Sequence, residues 1–167
     1  MSYYIIIRGP AGVGKTTISE LLADKVYANV AHFDALMDKL GLDYIQGEKW
    51  IPLHKFLKAD ATTVPEFKKE LLNGKNIIFD GNFYHEEQVE DIISKLDFPH
   101  LVFTLKADLK DCIERDTTRK NGLGEQATTD VFNLVSAFDY GITIDTRNKK
   151  PEEIVSEILV HFHTNKL

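Results

Sequence analysis

Three glycines, a lysine and two threonines fall within nine residues, Gly9-Pro10-Ala11-Gly12-Val13-Gly14-Lys15-Thr16-Thr17. Residues 9–16 satisfy G-x-x-x-x-G-K-[ST], the spacing of a loop that wraps phosphates. Gly9, Gly12 and Gly14 let the backbone bend so that successive N–H groups, those around Ala11 and Val13 included, converge on an anion. A helix opening at Lys15 adds its positive N-terminal end, through Thr16 and Thr17, to the same anion. In such a loop the lysine reaches the outer phosphates of a nucleoside triphosphate and the first threonine offers its hydroxyl to Mg²⁺. The chemistry on offer is phosphoryl transfer, and the open question is whether water or a second molecule receives the group.

Two aspartates bear on that question. Asp80 closes the apolar run Asn76-Ile77-Ile78-Phe79, where a carboxylate holds the metal directly or through a water. Asp34 closes Val30-Ala31-His32-Phe33. If that run neighbours the first strand, Asp34 faces the γ-phosphate across a gap wide enough for a hydroxyl. It can then orient the hydroxyl and accept its proton, or hold a metal-bound water instead. Asp108 follows a strand as well and reads as a helix cap. Arg115 and Arg119, four apart on a helix predicted over 108–120, share a face and precede Lys120-Asn121-Gly122-Leu123-Gly124. A cationic lid over about 116–127 would neutralise developing charge and exclude water. Arg8 attracts no role.

The elements that must position these groups alternate in kind. Short apolar runs predict strands over 3–8, 29–33, 76–80, 100–105 and 141–144. Helical patterns fall at 15–27, 34–41, 47–58, 63–73, 85–96, 108–120, 128–138 and 151–163. Thr63, Pro65 and Glu66 look like the start of a separate helix. Strands nearly continuous in apolar character, alternating with helices, imply a parallel sheet covered on both faces. Ligands of such sheets lie beyond the C-terminal strand ends, where Lys15, Asp34 and Asp80 fall.

Composition narrows the classes. The chain has 167 residues and 43% hydrophobic content, enough for one domain over 1–167 with a real core. The formal net charge of −6 lowers the expectation of a nucleic-acid partner, although a nucleic-acid 5′ end stays open. The single cysteine, Cys112, cannot form an internal disulfide, which fits a cytoplasmic protein. No segment approaches the ~18 apolar residues of a membrane span. His161 and His163, two apart, cannot share a helical face.

On these residues the chain resembles the small P-loop kinases: adenylate, shikimate and gluconate kinases, chloramphenicol phosphotransferase and polynucleotide kinase. The resemblance covers nearly the whole length. It implies an α/β fold with a five-stranded parallel sheet in the order 2-3-1-4-5, a short lid, acceptor-side helices at about 34–73, and ATP and Mg²⁺ as cofactors. Asp34 matches the general base of the chloramphenicol and polynucleotide enzymes, Asp80 the acidic segment of strand 3, and Arg115 and Arg119 the lid arginines. Residues 141–146 and the loop that follows, with Arg147, resemble the last strand and the adenine-contacting loop.

Two departures concern the acceptor. Shikimate kinases carry a glycine triplet where this chain has Asp80-Gly81-Asn82-Phe83. Nucleoside monophosphate kinases clamp the acceptor phosphate with arginines, and this chain has none from Gly9 to Glu114. Lys39, Lys49, Lys55 and Lys58 offer point charges rather than forks. The expected acceptor is therefore a small, unphosphorylated molecule bearing a hydroxyl. Tyr44, Trp50, His54, Phe56, Phe83 and Tyr84 either line its pocket or fill the core. The alternative is an ATP-binding module or ATPase that switches a partner. A monomer or weak homodimer is expected.

Overall fold

The computed structural model describes residues 2–165. Five strands, β1 (Tyr4–Arg8), β2 (Ala28–His32), β3 (Asn76–Gly81), β4 (His100–Lys106) and β5 (Ile142–Asp145), pair in parallel in the order β2-β3-β1-β4-β5. The central strand is buried at every position. Its side chains alternate between two cores, as a pleated strand requires. Tyr4 and Ile6 join Phe79, Phe56, Val89 and Ile92 on one face, while Ile5 and Ile7 join Leu22, Phe103, Val155 and Ile158 on the other.

Helices α1 (Lys15–Val26) and α7 (Pro151–Asn165) cover the second face. On the first lie α2 (Phe33–Lys39), α3 (Leu53–Leu72) and α4 (Glu86–Leu96). Helices α5 (Leu109–Thr117) and α6 (Glu125–Ser136) flank the loop 118–124. Among the described residues no helix is long and apolar enough to cross a membrane. Cys112 is buried and free.

The structure corrects two local readings. The helices expected over 47–58 and 63–73 are one, α3, beginning only at Leu53 and carrying Pro65 in its interior. Proline lacks the N–H that would bind the carbonyl four residues earlier. Here that residue is Ala61, and both Ala61 and Pro65 face solvent, so water can serve the freed carbonyl. Thr63 does not cap; its hydroxyl donates back to the Ala59 carbonyl. The second correction concerns α5, which ends at Thr117 with Thr118 as its C-cap. Arg119 therefore sits in the following turn, and the helical face it was expected to share with Arg115 does not exist. His161 packs obliquely against Phe103, and the side chain of His163 lies outside the described residues.

Candidate active site

The C-terminal ends of β1, β2 and β3 open on a cleft of about 970 Å³. Its floor is the loop between β1 and α1. Gly12 takes φ +80°, and a Cβ there would stand 2.2 Å from the carbonyl oxygen of Cys112, so only glycine allows α5 to press on the loop. Arg115 Nη1 donates to the Val13 carbonyl at 3.3 Å and fixes the same contact. Gly14, at φ +102°, turns the chain into α1, whose exposed first turn presents Thr16 and Thr17.

Lys15 is almost fully buried, and its ammonium donates to the carbonyls of Gly9 and Pro10 and to Asn82 Oδ1, each at 2.9 Å. Desolvation lowers its pKa, while Asp34 and then Asp80 act in the opposite sense. Both aspartates thus act on the lysine electrostatically, although β3 stands between β2 and β1, so the run that ends before Asp34 does not neighbour the first strand. Asp34 lies in the first turn of α2 and lines the cleft. Its side chain opens to the cleft, yet protein crowds it elsewhere. That desolvation raises its pKa above the usual carboxylate range, against Lys15, and the Asn82 N–H binds it. A raised carboxyl is a stronger base once ionised.

Asp80 is buried at the end of β3. Its Oδ1 pairs with His32 Nδ1 at 2.9 Å, a cross-strand contact set by the register His32–Asp80. Its Oδ2 is buried without a partner. An orphaned buried carboxylate oxygen is what a metal-bound water would satisfy. No group of three or more His, Cys, Asp or Glu among the described residues forms a cage. Mg²⁺ keeps waters and substrate phosphates in its shell, so one carboxylate and one hydroxyl can serve as its protein partners. Thr16 and Asp80 therefore fit the ion.

The rim is built by the loop 118–124. Asp116 was not singled out from sequence. Its carboxylate accepts the N–H groups of Leu123 (3.1 Å) and Gly124 (2.9 Å), closing the loop on the end of α5. Arg119 lines the cleft; Arg115 sits beneath it, on the phosphate loop. Arg147 pairs with Asp145 at 2.7 Å and Asp108 at 3.6 Å and is not among the lining residues. Of the six rings, Tyr44, Trp50 and Tyr84 line the cleft, Tyr84 as part of the same buried core that holds Phe56 and Phe83. His54 is exposed and not among the lining residues. Lys55 is withdrawn from any anion by Glu48 Oε1 at 2.9 Å and the Asp43 carbonyl at 3.0 Å.

The sheet order, the phosphate loop and the carboxylates at neighbouring strand ends define a P-loop kinase fold. Residues 5–132 match the family described as AAA domain, and the chain belongs to it. It is 31% identical over 166 residues to a putative adenylate kinase of Pyrococcus furiosus, covering 93% of this chain and 81% of the relative. A putative adenylate kinase of Thermococcus kodakarensis is 34% identical over 164 residues, covering 93% and 82%. Among solved structures, a sugar kinase from Janibacter superposes with a TM-score of 0.78 at 16% identity, covering 96% of this chain and 94% of that one. An APS kinase of Mycobacterium tuberculosis, in complex with AMPPNP and APS, gives 0.73 at 13% identity, covering 97% and 98%. These two likenesses show the fold alone.

Proposed function

We propose that the protein is an ATP-dependent phosphotransferase whose acceptor is a small molecule bearing a hydroxyl and no phosphate. One observation carries this reading. Asp34 and Lys15 line a cleft walled by Tyr44, Trp50 and Tyr84, in which the lining arginine is Arg119 of the rim loop and the segments from Asp34 to Tyr84 add none. Beside Lys15 and Arg119 the cleft is lined by Lys49, which sits 4.5 Å over the Trp50 ring. Asp43, Glu125 and Asp130 also line the cleft and would repel an anionic acceptor.

The loop N–H groups and Lys15 bind the triphosphate, and Arg119 lies on the rim to meet charge that develops on the moving group. Thr16 and Asp80 would hold Mg²⁺, which would supply neutralisation of the phosphate charge. Asp34 orients the acceptor hydroxyl and takes its proton as the new O–P bond forms and the bond to ADP breaks. Trp50, Tyr44 and Tyr84 suit an acceptor with a ring. Cytoplasmic placement and a monomer or weak homodimer complete the proposal. Arg147 as an adenine-side contact also belongs to it, and would require its ion pairs to rearrange.

A second reading, a nucleoside monophosphate acceptor, draws on relatives whose names are putative adenylate kinase and, at 27% identity over 188 residues, probable thymidylate kinase. An ATPase that switches a partner is the third. One screen separates them. Labelled ATP is offered with AMP, dTMP, nucleosides, sugars, amino alcohols, antibiotics and oligonucleotide 5′ ends, and hydrolysis without acceptor is measured alongside. Label on an unphosphorylated hydroxyl supports the first reading. Label on AMP or dTMP alone supports the second. Hydrolysis indifferent to every acceptor supports the third.

A further inference from the structure

Arg8 is the last residue of β1 and is fully buried. Among the described residues no carboxylate lies within ion-pair distance of it; Asp139 and Glu86 act on it only from farther off. Burial pushes its pKa down to about 10. An unpaired buried cation is costly unless polar atoms replace its water. Here they come from three separate segments. Nε donates to the Phe83 carbonyl at 3.2 Å, Nη1 to Thr104 Oγ1 at 3.1 Å and to the Phe138 carbonyl at 3.0 Å, and Nη2 to the Val135 carbonyl at 2.9 Å. The guanidinium also lies 4.1 Å over the Phe138 ring.

Those partners are the anchorages of two cleft walls. Val135 and Phe138 bracket the C-terminal end of α6, where free carbonyls and the negative end of the helix dipole attract a cation. The opposite end of α6 begins at the loop 118–124, and its residues Glu125, Asp130, Val131 and Leu134 line the cleft. Phe83 holds φ +44°, a strained value for a side-chain-bearing residue. It follows Asn82, which binds both Lys15 and Asp34. Thr104 ties the same guanidinium to β4 and exchanges hydrogen bonds with Tyr140. Only a planar fork can serve four acceptors arriving from these directions; a lysine is one point donor.

We propose that Arg8 is a positioning residue that locks α6 and the Asn82–Phe83 segment to the root of the phosphate loop. When the nucleotide binds, the wall and the Lys15–Asn82–Asp34 cluster then register together and water is kept from the γ-phosphate. The claim about water rests on the phosphotransferase reading above; the claim about locking does not.

The test uses the full chain with Arg8→Lys and Arg8→Met and reads amide hydrogen exchange with and without Mg²⁺–AMPPNP. In Arg8→Lys, AMPPNP affinity should stay within about threefold of wild type. Protection of residues 125–136 and 82–84 in the AMPPNP complex should fall about tenfold, as for loss of one charge-assisted hydrogen bond. Protection of β1 and β3 should change much less. With an acceptor from the screen, hydrolysis per transfer should rise about tenfold. A uniform loss of protection across the sheet, with the hydrolysis-to-transfer ratio unchanged, would make Arg8 a core residue only and overturn the proposal. If Arg8→Met fails to fold, Arg8→Lys decides. If wild type transfers phosphate to nothing, the kinase reading fails and the exchange pattern still judges the lock.

Discussion

Asp60 sits in the middle of α3, wholly buried, with neither carboxylate oxygen hydrogen-bonded. Burial, with the nearby Asp91 adding in the same sense, raises its pKa to about 8; Lys95 and Gln88 oppose the shift. The folded protein thus keeps a proton that an ordinary aspartate, with a pKa near 3.8, has released. Because the folded pKa is raised, the contribution of this group to stability is greatest below pH 4 and declines as pH rises towards 8. The decline is about 1.4 kcal/mol per pH step while only the unfolded chain is ionised. Between pH 5 and 7 this one group removes about 3 kcal/mol, a large share of the ~5–15 kcal/mol typical of a domain. Asp60→Asn keeps the shape and abolishes the titration. Urea unfolding at pH 5, 6 and 7 should show wild type losing about 3 kcal/mol more than the variant, with equal m-values. Parallel pH profiles for the two proteins would refute the reasoning, whichever is more stable at pH 7.

Three further outcomes concern the loop and its rim. Arg119→Ala should lower phosphate transfer by ~10²-fold with little change in melting temperature, since Arg119 faces the cleft. Arg115→Ala should also weaken nucleotide binding, because Arg115 braces Val13 in the phosphate loop; equal, purely rate-limited effects would contradict that division. Gly12→Ala should destabilise the protein by at least ~1–2 kcal/mol from the left-handed backbone alone and loosen α5, measured by thermal unfolding and nucleotide titration. An unchanged melting temperature would mean the close approach to Cys112 is not needed.

The phosphate loop and the alternation of strands with helices were legible from local pattern, a motif and apolar runs closing on carboxylates, whereas the sheet order followed from the resemblance to the small P-loop kinases. What escaped depends on tertiary surroundings. Pro65 resembles a helix start in any sequence, and only the exposure of Ala61 explains why the helix runs through it. Arg119 fits a helical repeat, but α5 stops at Thr117, and Asp116 then spends its carboxylate on the loop beyond. The Asp80–His32 pair needs the β2–β3 register. Arg8 carried no signal, since a charged residue beside a glycine loop says nothing about four acceptors gathered from distant segments. The aromatic residues divided for the same reason: Trp50 is partly exposed at the cleft, Phe56 and Phe83 are buried in the core, and Tyr84 is buried in the same core yet lines the cleft.

The central claim is that Asp34 receives the proton of an acceptor hydroxyl. Its direct measurement is Asp34→Asn, compared with Asp80→Asn, for nucleotide affinity, Mg²⁺ dependence and phosphate transfer in one set of conditions. Asp34→Asn should bind Mg²⁺–ATP nearly as wild type while transfer falls by ~10²–10⁴-fold, and Asp80→Asn should raise the Mg²⁺ requirement. Normal transfer by Asp34→Asn, or an equal loss of metal affinity in both variants, would contradict the claim.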